Sequence, residues 1–318
     1  MGGAHIFGPV FSRRLGRSLG VDLVPYKTCS LDCVYCQLGR TTCKTVQRGS
    51  FVNLDGFREE IREAARQGAA ADFATLSGSG EPTLSADLGE VIEELKRASI
   101  APVAVLTNAT LLFDDGVRRE LEEADLIVPS LDAGREEEFR LVNRPHPSLD
   151  FDAVVEGLRE FCDGFSQRVW LEVMLVEGMN DSEESLRAIG KIVKGLKVER
   201  VQLNTVTRPA ADKRARLVSP DRMSHAAKVL HTISGKAAEV IIDAELMENR
   251  PAQDDAKKAL VEMMLRRPCT LSELSKAVGR SVEETQSLLH DISHDHVLET
   301  ETVGGREFFS VKMRGQGN

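Results

Sequence analysis

The sequence predicts an α/β protein: a partial, TIM-like (β/α)6 barrel of parallel strands, followed by a small C-terminal winged helix-turn-helix domain. Short apolar runs alternate with segments of helical period at close intervals, as parallel βαβ units require. Polar clusters stand directly after those runs, at the carboxyl ends of the strands, where parallel α/β folds bind ligands. Residues 251–318 change pattern, to capped helices and a glycine hairpin. The expected division is therefore 1–250 for the barrel and 251–318 for the winged helix.

The elements follow in order. Gly20–Val24 reads as a buried strand running into a cysteine-rich loop. Leu54–Arg66 has helical period, with Leu54, Phe57, Ile61 and Ala65 on one face. Asp72–Leu76 is the next strand, followed by a helix at Ala86–Lys96 whose stripe is Leu88, Val91, Ile92 and Leu95. Strands at Val103–Leu106, Leu126–Val128, Val169–Leu175 and Arg200–Leu203 alternate with helices at Val117–Glu123, Phe151–Phe161 and Glu183–Leu196.

The totals bound the class. The chain has 318 residues, 42% hydrophobic and 29% charged, which suits a globular protein with a sizeable core. No apolar run approaches the ~20 residues of a membrane span, and Met-Gly-Gly-Ala-His is not an export signal. A cytoplasmic location without membrane attachment is expected. The net charge of −9 argues against a protein that coats nucleic acid. Residues 1–50 are the exception, with seven Lys/Arg (Arg13, Arg14, Arg17, Lys27, Arg40, Lys44, Arg48) against Asp22 and Asp32.

Three of the six cysteines fall within eight positions, as Cys29-Ser-Leu-Asp-Cys33-Val-Tyr35-Cys36. Thiolates this crowded point to a soft metal centre. A [4Fe–4S] cube held by three cysteines keeps one iron open to a ligand that is not protein. Structural zinc is the alternative and needs a fourth ligand, for which Cys43 is available. A disulfide framework fits poorly in a large chain of cytosolic character.

The Cys29-x3-Cys33-x-Tyr35-Cys36 pattern resembles the defining motif of the radical S-adenosylmethionine (radical SAM) superfamily. The resemblance implies that the open iron chelates SAM, whose reductive cleavage gives a 5′-deoxyadenosyl radical that abstracts hydrogen. It also implies an external electron donor of flavodoxin or ferredoxin type. Gly78-Ser-Gly80-Glu81-Pro82-Thr83 resembles the superfamily's glycine-rich Glu-Pro motif, with a serine inserted. Gly80 and Glu81 would receive the methionyl amine, as glycine permits close approach and a carboxylate suits an ammonium. Ser130-Leu-Asp132 resembles the fourth strand end of the molybdenum-cofactor cyclase branch, and Thr107-Asn108 matches the third strand end. Ser130, Asn108 and Asp132 would then approach the ribose or methionyl groups. Phe7–Leu23 and Cys36-Gln-Leu-Gly-Arg40-Thr-Thr are similar to the Fe–S oxidoreductases akin to the tRNA wybutosine-synthesis enzyme, though that enzyme's second cysteine trio has no counterpart here.

Four further residues are candidates for the substrate. Glu172, a lone carboxylate on an apolar strand, must face a polar cavity or a partner. Gln202, Asn204 and Arg208 cluster at the sixth strand's end. Arg140 and Arg144 could take a carboxylate or phosphate, or be surface charges.

In the tail, Ala256–Leu265 reads as a helix. Thr270-Leu-Ser-Glu273 and Ser281-Val-Glu-Glu284 are capping boxes opening two more. Val297–Thr302 and Glu307–Val311 flank Gly304-Gly305, a hairpin signal. Residues 255–318 hold nine Lys/Arg against ten Asp/Glu, and the third helix opens with two glutamates. Specific DNA binding is not expected from such a surface. His290, His294 and His296 read as surface residues. The whole describes a radical SAM Fe–S oxidoreductase or modifying enzyme with one cluster. Its substrate is either a macromolecule (RNA or peptide) recruited by the tail, or a small molecule. The rival reading is an Fe–S-dependent transcriptional or redox sensor.

Overall fold

The computed structural model describes residues 5–12, 14–66, 71–241 and 256–312. Arg13 and the expected link between the two parts (Arg250–Asp255) lie outside the described residues.

The chain opens with β1 (Ile6–Ser12) and β2 (Gly16–Val21), then two short strands that flank the cysteine loop, β3 (Thr28–Cys29) and β4 (Cys43–Lys44). The alternating series is α1 (Leu54–Arg66), β5 (Phe73–Leu76), α2 (Leu88–Ala98), β6 (Val103–Thr107), α3 (Asp115–Glu120) and β7 (Leu126–Pro129). It continues through α4 (Glu136–Glu138), α5 (Phe151–Gly164), β8 (Arg168–Leu175), α6 (Glu183–Lys194), β9 (Arg200–Thr205), α7 (Pro220–Ser234) and β10 (Ala237–Val240).

These strands form one sheet in the order β1-β2-β5-β6-β7-β8-β9-β10. Every neighbouring pair from β2 to β10 is parallel, and β1 lies antiparallel on the edge. Among the described residues β1 and β10 are not paired, so the sheet does not close. The described parallel strands number seven rather than the expected six, β10 being the addition. The first parallel strand is Gly16–Val21, upstream of the expected Gly20–Val24. On α1 the buried face is Phe57, Ile61 and Ala64 rather than Ala65, while α2 buries its expected stripe.

Two apolar cores follow from this arrangement. The larger packs the helices against the sheet's outer face. A smaller one, of Leu15, Ala104, Leu126, Val128 and Trp170, plugs one end of the barrel interior. Above that plug the inward positions turn polar: Ser18 and Thr75 share a hydrogen bond of 2.6 Å, and Glu172 and Gln202 are register partners across β8 and β9. This polar layer is what a ligand would meet.

The tail has its own core, built from Ala256, Leu260, Met264, Leu274, Val278, Leu289 and Ile292. Its elements are α8 (Ala256–Arg266), β11 (Cys269–Thr270), α9 (Leu271–Val278), α10 (Val282–Asp295), β12 (Val297–Val303) and β13 (Arg306–Lys312). Thr270 and Ser281 make both capping boxes. Gly304 and Gly305 turn the hairpin at φ of 57° and 75°, the left-handed conformation that a two-residue hairpin loop demands. Strands β11, β13 and β12 complete a winged helix.

Candidate active site

The cysteine loop lies at the carboxyl end of β2 and is held on three sides. Lys27 N–H donates to the Ser79 carbonyl at 2.7 Å, and Glu81 N–H to the Thr28 carbonyl at 3.0 Å. Those bonds lock the Gly78–Glu81 segment, at the end of β5, against the loop. A Cβ on Gly80 would lie 2.1 Å from the Thr28 carbonyl oxygen, so only glycine allows this approach. On the second side, the Asp32 and Val34 amides donate to the carbonyls of Asn143 and Val142, in a π-helical turn at Phe139–Asn143. On the third, Ala211 and Asp212 after β9 donate to the carbonyls of Cys36 and Val34.

Each sulfur meets an N–H donor. Asn108 Nδ2 is 3.5 Å from Cys29 Sγ, Asn143 Nδ2 is 3.5 Å from Cys33 Sγ, and Lys27 Nζ is 3.2 Å from Cys36 Sγ. Desolvation, reinforced by neighbouring negative groups, pushes Cys29 up to about 12 and Cys33 well above the ordinary thiol range. Thiolates here need a bound cation, and an iron–sulfur centre supplies one. Among the described residues no three His, Cys, Asp or Glu side chains converge on a single-ion position. A cube bonds each sulfur to its own iron, so its ligands stand farther apart than those of one ion. Amide and ammonium donors to the sulfurs are the outer contacts that stabilise a charged cluster. The donor set therefore fits the [4Fe–4S] group, with Cys29, Cys33 and Cys36 as the residues that could hold it.

The other expected residues are placed as follows. Glu81 is buried, with Oε1 accepting from Thr83 and Thr107 and Oε2 from the Asn108 amide at 2.7 Å. Burial raises its pKa against the pull of those bonds. Asn108 turns its side chain to the cysteine loop, donating to Ser30 Oγ at 2.8 Å as well as to Cys29. Asp132 is engaged within the protein: Oδ2 accepts from the Tyr35 hydroxyl and from Asn143 at 2.7 Å, and Oδ1 from the Met174 amide at 2.9 Å. Its visible task is to fix Tyr35 between the cysteines. Ser130, half-buried at the end of β7, bridges to Glu172 in the sheet.

Glu172 accepts from Arg14 and, at 2.6 Å, from Asn204. Gln202 donates to Glu239 at 3.1 Å. The side-chain oxygens of Gln202 and Asn204 are buried without a hydrogen-bond partner, which marks them as places for a ligand donor. Arg208 departs from the expected rim position. It reaches the winged helix, donating to the Pro268 carbonyl at 2.6 Å and to Glu273. Arg144 pairs with Asp212, which it and Arg214 hold well below the usual carboxylate range, while Arg140 pairs with Glu136 on the surface. His290 and His294 sit edge to face on exposed positions of α10. Cys43 is exposed and pairs in β4 with the backbone of Thr28.

Two contacts escaped the sequence. Lys27 stood among the basic residues without an assigned partner. Asn143 lies 110 residues from Cys33, and only the π-helical turn brings it there.

The radical SAM superfamily model matches residues 23–189, more than half of the chain and all of this loop and motif. UPF0026 protein MJ1312 of Methanocaldococcus jannaschii is 35% identical over 226 residues, covering 70% of this chain and 69% of that protein. The chain belongs to the radical SAM superfamily, in the UPF0026 family. A Brachyspira hyodysenteriae protein named GTPase Obg is 35% identical over 97% of this chain, which spans only 45% of that protein's length. A probable GTP 3′,8-cyclase of Saccharolobus islandicus is 29% identical over 47% of this chain and 46% of its own.

Among solved structures, a radical SAM methyltransferase from Sphaerobacter thermophilus aligns at a TM-score of 0.54 and 18% identity. It covers 70% of this chain and 65% of that one. TYW1 with a lysine-pyruvate adduct aligns at 0.50 and 17%, covering 69% and 74%. These likenesses show a shared radical SAM partial-barrel fold. Radical SAM membership brings with it a [4Fe–4S] cluster, SAM and the need for an electron donor. No described helix is long and apolar enough to cross a membrane.

Proposed function

We propose that this radical SAM enzyme uses a single [4Fe–4S] cluster, held by Cys29, Cys33 and Cys36, to generate a 5′-deoxyadenosyl radical for hydrogen abstraction. When bound, the reduced cluster and SAM would supply the chemistry, the reductive cleavage of SAM to methionine and the abstraction of hydrogen from a substrate C–H bond. The observation that carries this reading is the coupling of the two halves of the site. The cysteine loop and the Gly78–Glu81 segment are hydrogen-bonded backbone to backbone, and each cysteine sulfur meets its own N–H donor.

The chain's own residues bind and position. Lys27 and Asn143 would stabilise charge on the sulfurs, and Asn108 ties Cys29 to Glu81. Glu81 and the Gly80 backbone would hold the methionyl ammonium, whose arrival returns a counter-charge to a carboxylate desolvated by burial. Ser130, at the end of β7, would approach the ribose or methionyl groups. Asp132 acts through Tyr35, as a positioning residue.

The Cys36–Thr42 segment and the likeness to TYW1 support the Fe–S oxidoreductase subgroup that the sequence resembles. A reducing cytoplasm and a flavodoxin- or ferredoxin-type donor suit such a centre. The sensor reading is disfavoured by the exposed acids of α10, Glu283, Glu284, Asp291 and Asp295, which would repel a DNA backbone. Anaerobic reconstitution followed by dithionite reduction with SAM tests the proposal: 5′-deoxyadenosine should accumulate, and an intact cluster that leaves SAM uncleaved would refute it.

A further inference from the structure

The winged helix packs against the barrel, and a cavity of about 530 Å3 lies between them. Its barrel wall carries Arg14, Ser18, Thr75, Thr207 and Arg208. Its opposite wall comes from the tail: Arg267, Thr270, Ser272, Lys276 and Arg306, with Phe308 and Phe309 behind them. Ser77, which leads into the Gly78–Glu81 segment, and Gln37, which follows Cys36, complete the lining. The cavity therefore adjoins the barrel's polar layer at Ser18 and Thr75 and lies beside the cysteine loop and the Gly78–Glu81 segment at Gln37 and Ser77.

We infer that this cavity is the substrate pocket, and that it takes a small hydroxyl-bearing anion, a phosphate or carboxylate metabolite, gripped between barrel and winged helix. The inference rests on the radical SAM reading above and adds the substrate class to it. Three observations argue for it. First, five cationic side chains line the cavity against two acids, Glu273 and Glu307, in a chain whose overall charge is −9. A local excess of this sign in an acidic protein focuses anions. Four of the five are arginines, one of them on β13, and their forks suit phosphate and carboxylate in two-point contacts. Hydroxyls of Ser18, Thr75, Thr207, Thr270 and Ser272 give the rest of the lining hydrogen-bonding partners for an alcohol-rich body.

Second, the size matches a metabolite. Pockets for small ligands run from about 300 to 1,000 Å3. Third, the winged helix is turned inward. The start of α9 and the strand β13 here form the cavity wall. Arg208 pins them through the Pro268 carbonyl and Glu273, and its guanidinium lies 5.8 Å from the Phe308 ring centroid. A folded RNA could reach those surfaces only by displacing the tail.

The test uses the full-length, cluster-reconstituted protein. Calorimetric titration at low salt compares ribose 5-phosphate and citrate as anionic probes with ribose as the neutral one. Binding of either anion, with ribose silent, is expected; which anion binds tells phosphate from carboxylate. Lys276→Gln and Arg306→Gln, checked for cluster absorbance, should each weaken that anion about tenfold, the usual scale for one charge-assisted bond. Arg187→Gln, in an exposed pair with Glu183 on α6, serves as the control and should bind as wild type does. Anion binding that both cavity variants leave unchanged would overturn the pocket, as would no anion binding at all. Binding of a short RNA or peptide in place of either anion would overturn the small-molecule class. Deoxyadenosine formation by the wild-type protein is measured in parallel. If it is seen without anion binding, only the pocket falls; if it is absent, the radical reading itself has failed.

Discussion

Arg266 of α8 places its Nε 3.6 Å from Oδ2 of Asp22, and the same carboxylate accepts the Ser79 amide on Oδ1 at 2.7 Å. The Arg266 guanidinium also sits over the Phe7 ring of β1, 4.0 Å from its centroid. One side chain of the tail thus touches the barrel's edge strand and, through one carboxylate, the segment proposed to bind the methionyl amine. Asp22 further fixes that segment by closing over Gly78, where a Cβ would lie 1.9 Å from Oδ1.

Removing the cation should therefore be felt at the cofactor. Arg266→Gln leaves Asp22 desolvated and without its ion pair, and is expected to raise the Kd for SAM about tenfold. Calorimetry on the reconstituted variant checks this. An unchanged Kd, with only Tm lowered, would reduce the contact to a docking role.

Gly80→Ala should be among the most damaging small substitutions in the chain. The added methyl meets the Thr28 carbonyl oxygen first and the Val24 side chain, 2.6 Å away, next, so the loop or the motif must move. A loss of roughly 1–3 kcal/mol in denaturant unfolding is expected, together with poor cluster incorporation. Full incorporation at wild-type stability would contradict the close approach described.

Asn143→Ala removes a donor from Cys33 Sγ and from Asp132. Fewer donors to the sulfurs disfavour the reduced, more negative cluster, so its potential should fall. Redox titration followed by electron paramagnetic resonance measures the shift; a potential equal to wild type or higher would contradict it.

The junction between barrel and tail should be acid-sensitive. Burial opposes the charge on Glu273, but the hydrogen bonds and charges of Arg208 and Arg267 prevail and hold it down at about 2, against an ordinary 4.5. For an acid depressed in the folded state, the stabilisation is full above its unfolded pKa and is lost as pH falls through the folded value. Metal-free protein should thus lose up to a few kcal/mol between about pH 4.5 and 2. Glu273→Gln should flatten that part of the profile; an unaltered acid limb would deny the pair its role.

Strands β5 to β9 were legible because each is a short apolar run closed by polar residues, and the capping boxes because their chemistry is local. Strand β1 was not read, since Gly8-Pro9 lies inside it and proline suits only a sheet's edge, which is where β1 sits. Helix α7 and strand β10 were missed because their faces are mixed: α7 interleaves Asp221, Arg222, His225 and Lys228 with its buried positions, and no residue of β10 is fully buried. The cysteine triad stood out by its crowding, and the Gly78–Glu81 segment by its resemblance to the superfamily's motif. Asn143, Asp132's grip on Tyr35, and Arg208's reach to Glu273 could not, because each depends on chain segments brought together from 65 to 110 residues apart.

The central claim is that Cys29, Cys33 and Cys36 hold the cluster that cleaves SAM. The most direct measurement is 5′-deoxyadenosine formed by dithionite-reduced, reconstituted protein with SAM, wild type beside Cys33→Ala. Wild type should form it and Cys33→Ala should not. Equal product from the two proteins would contradict the assignment.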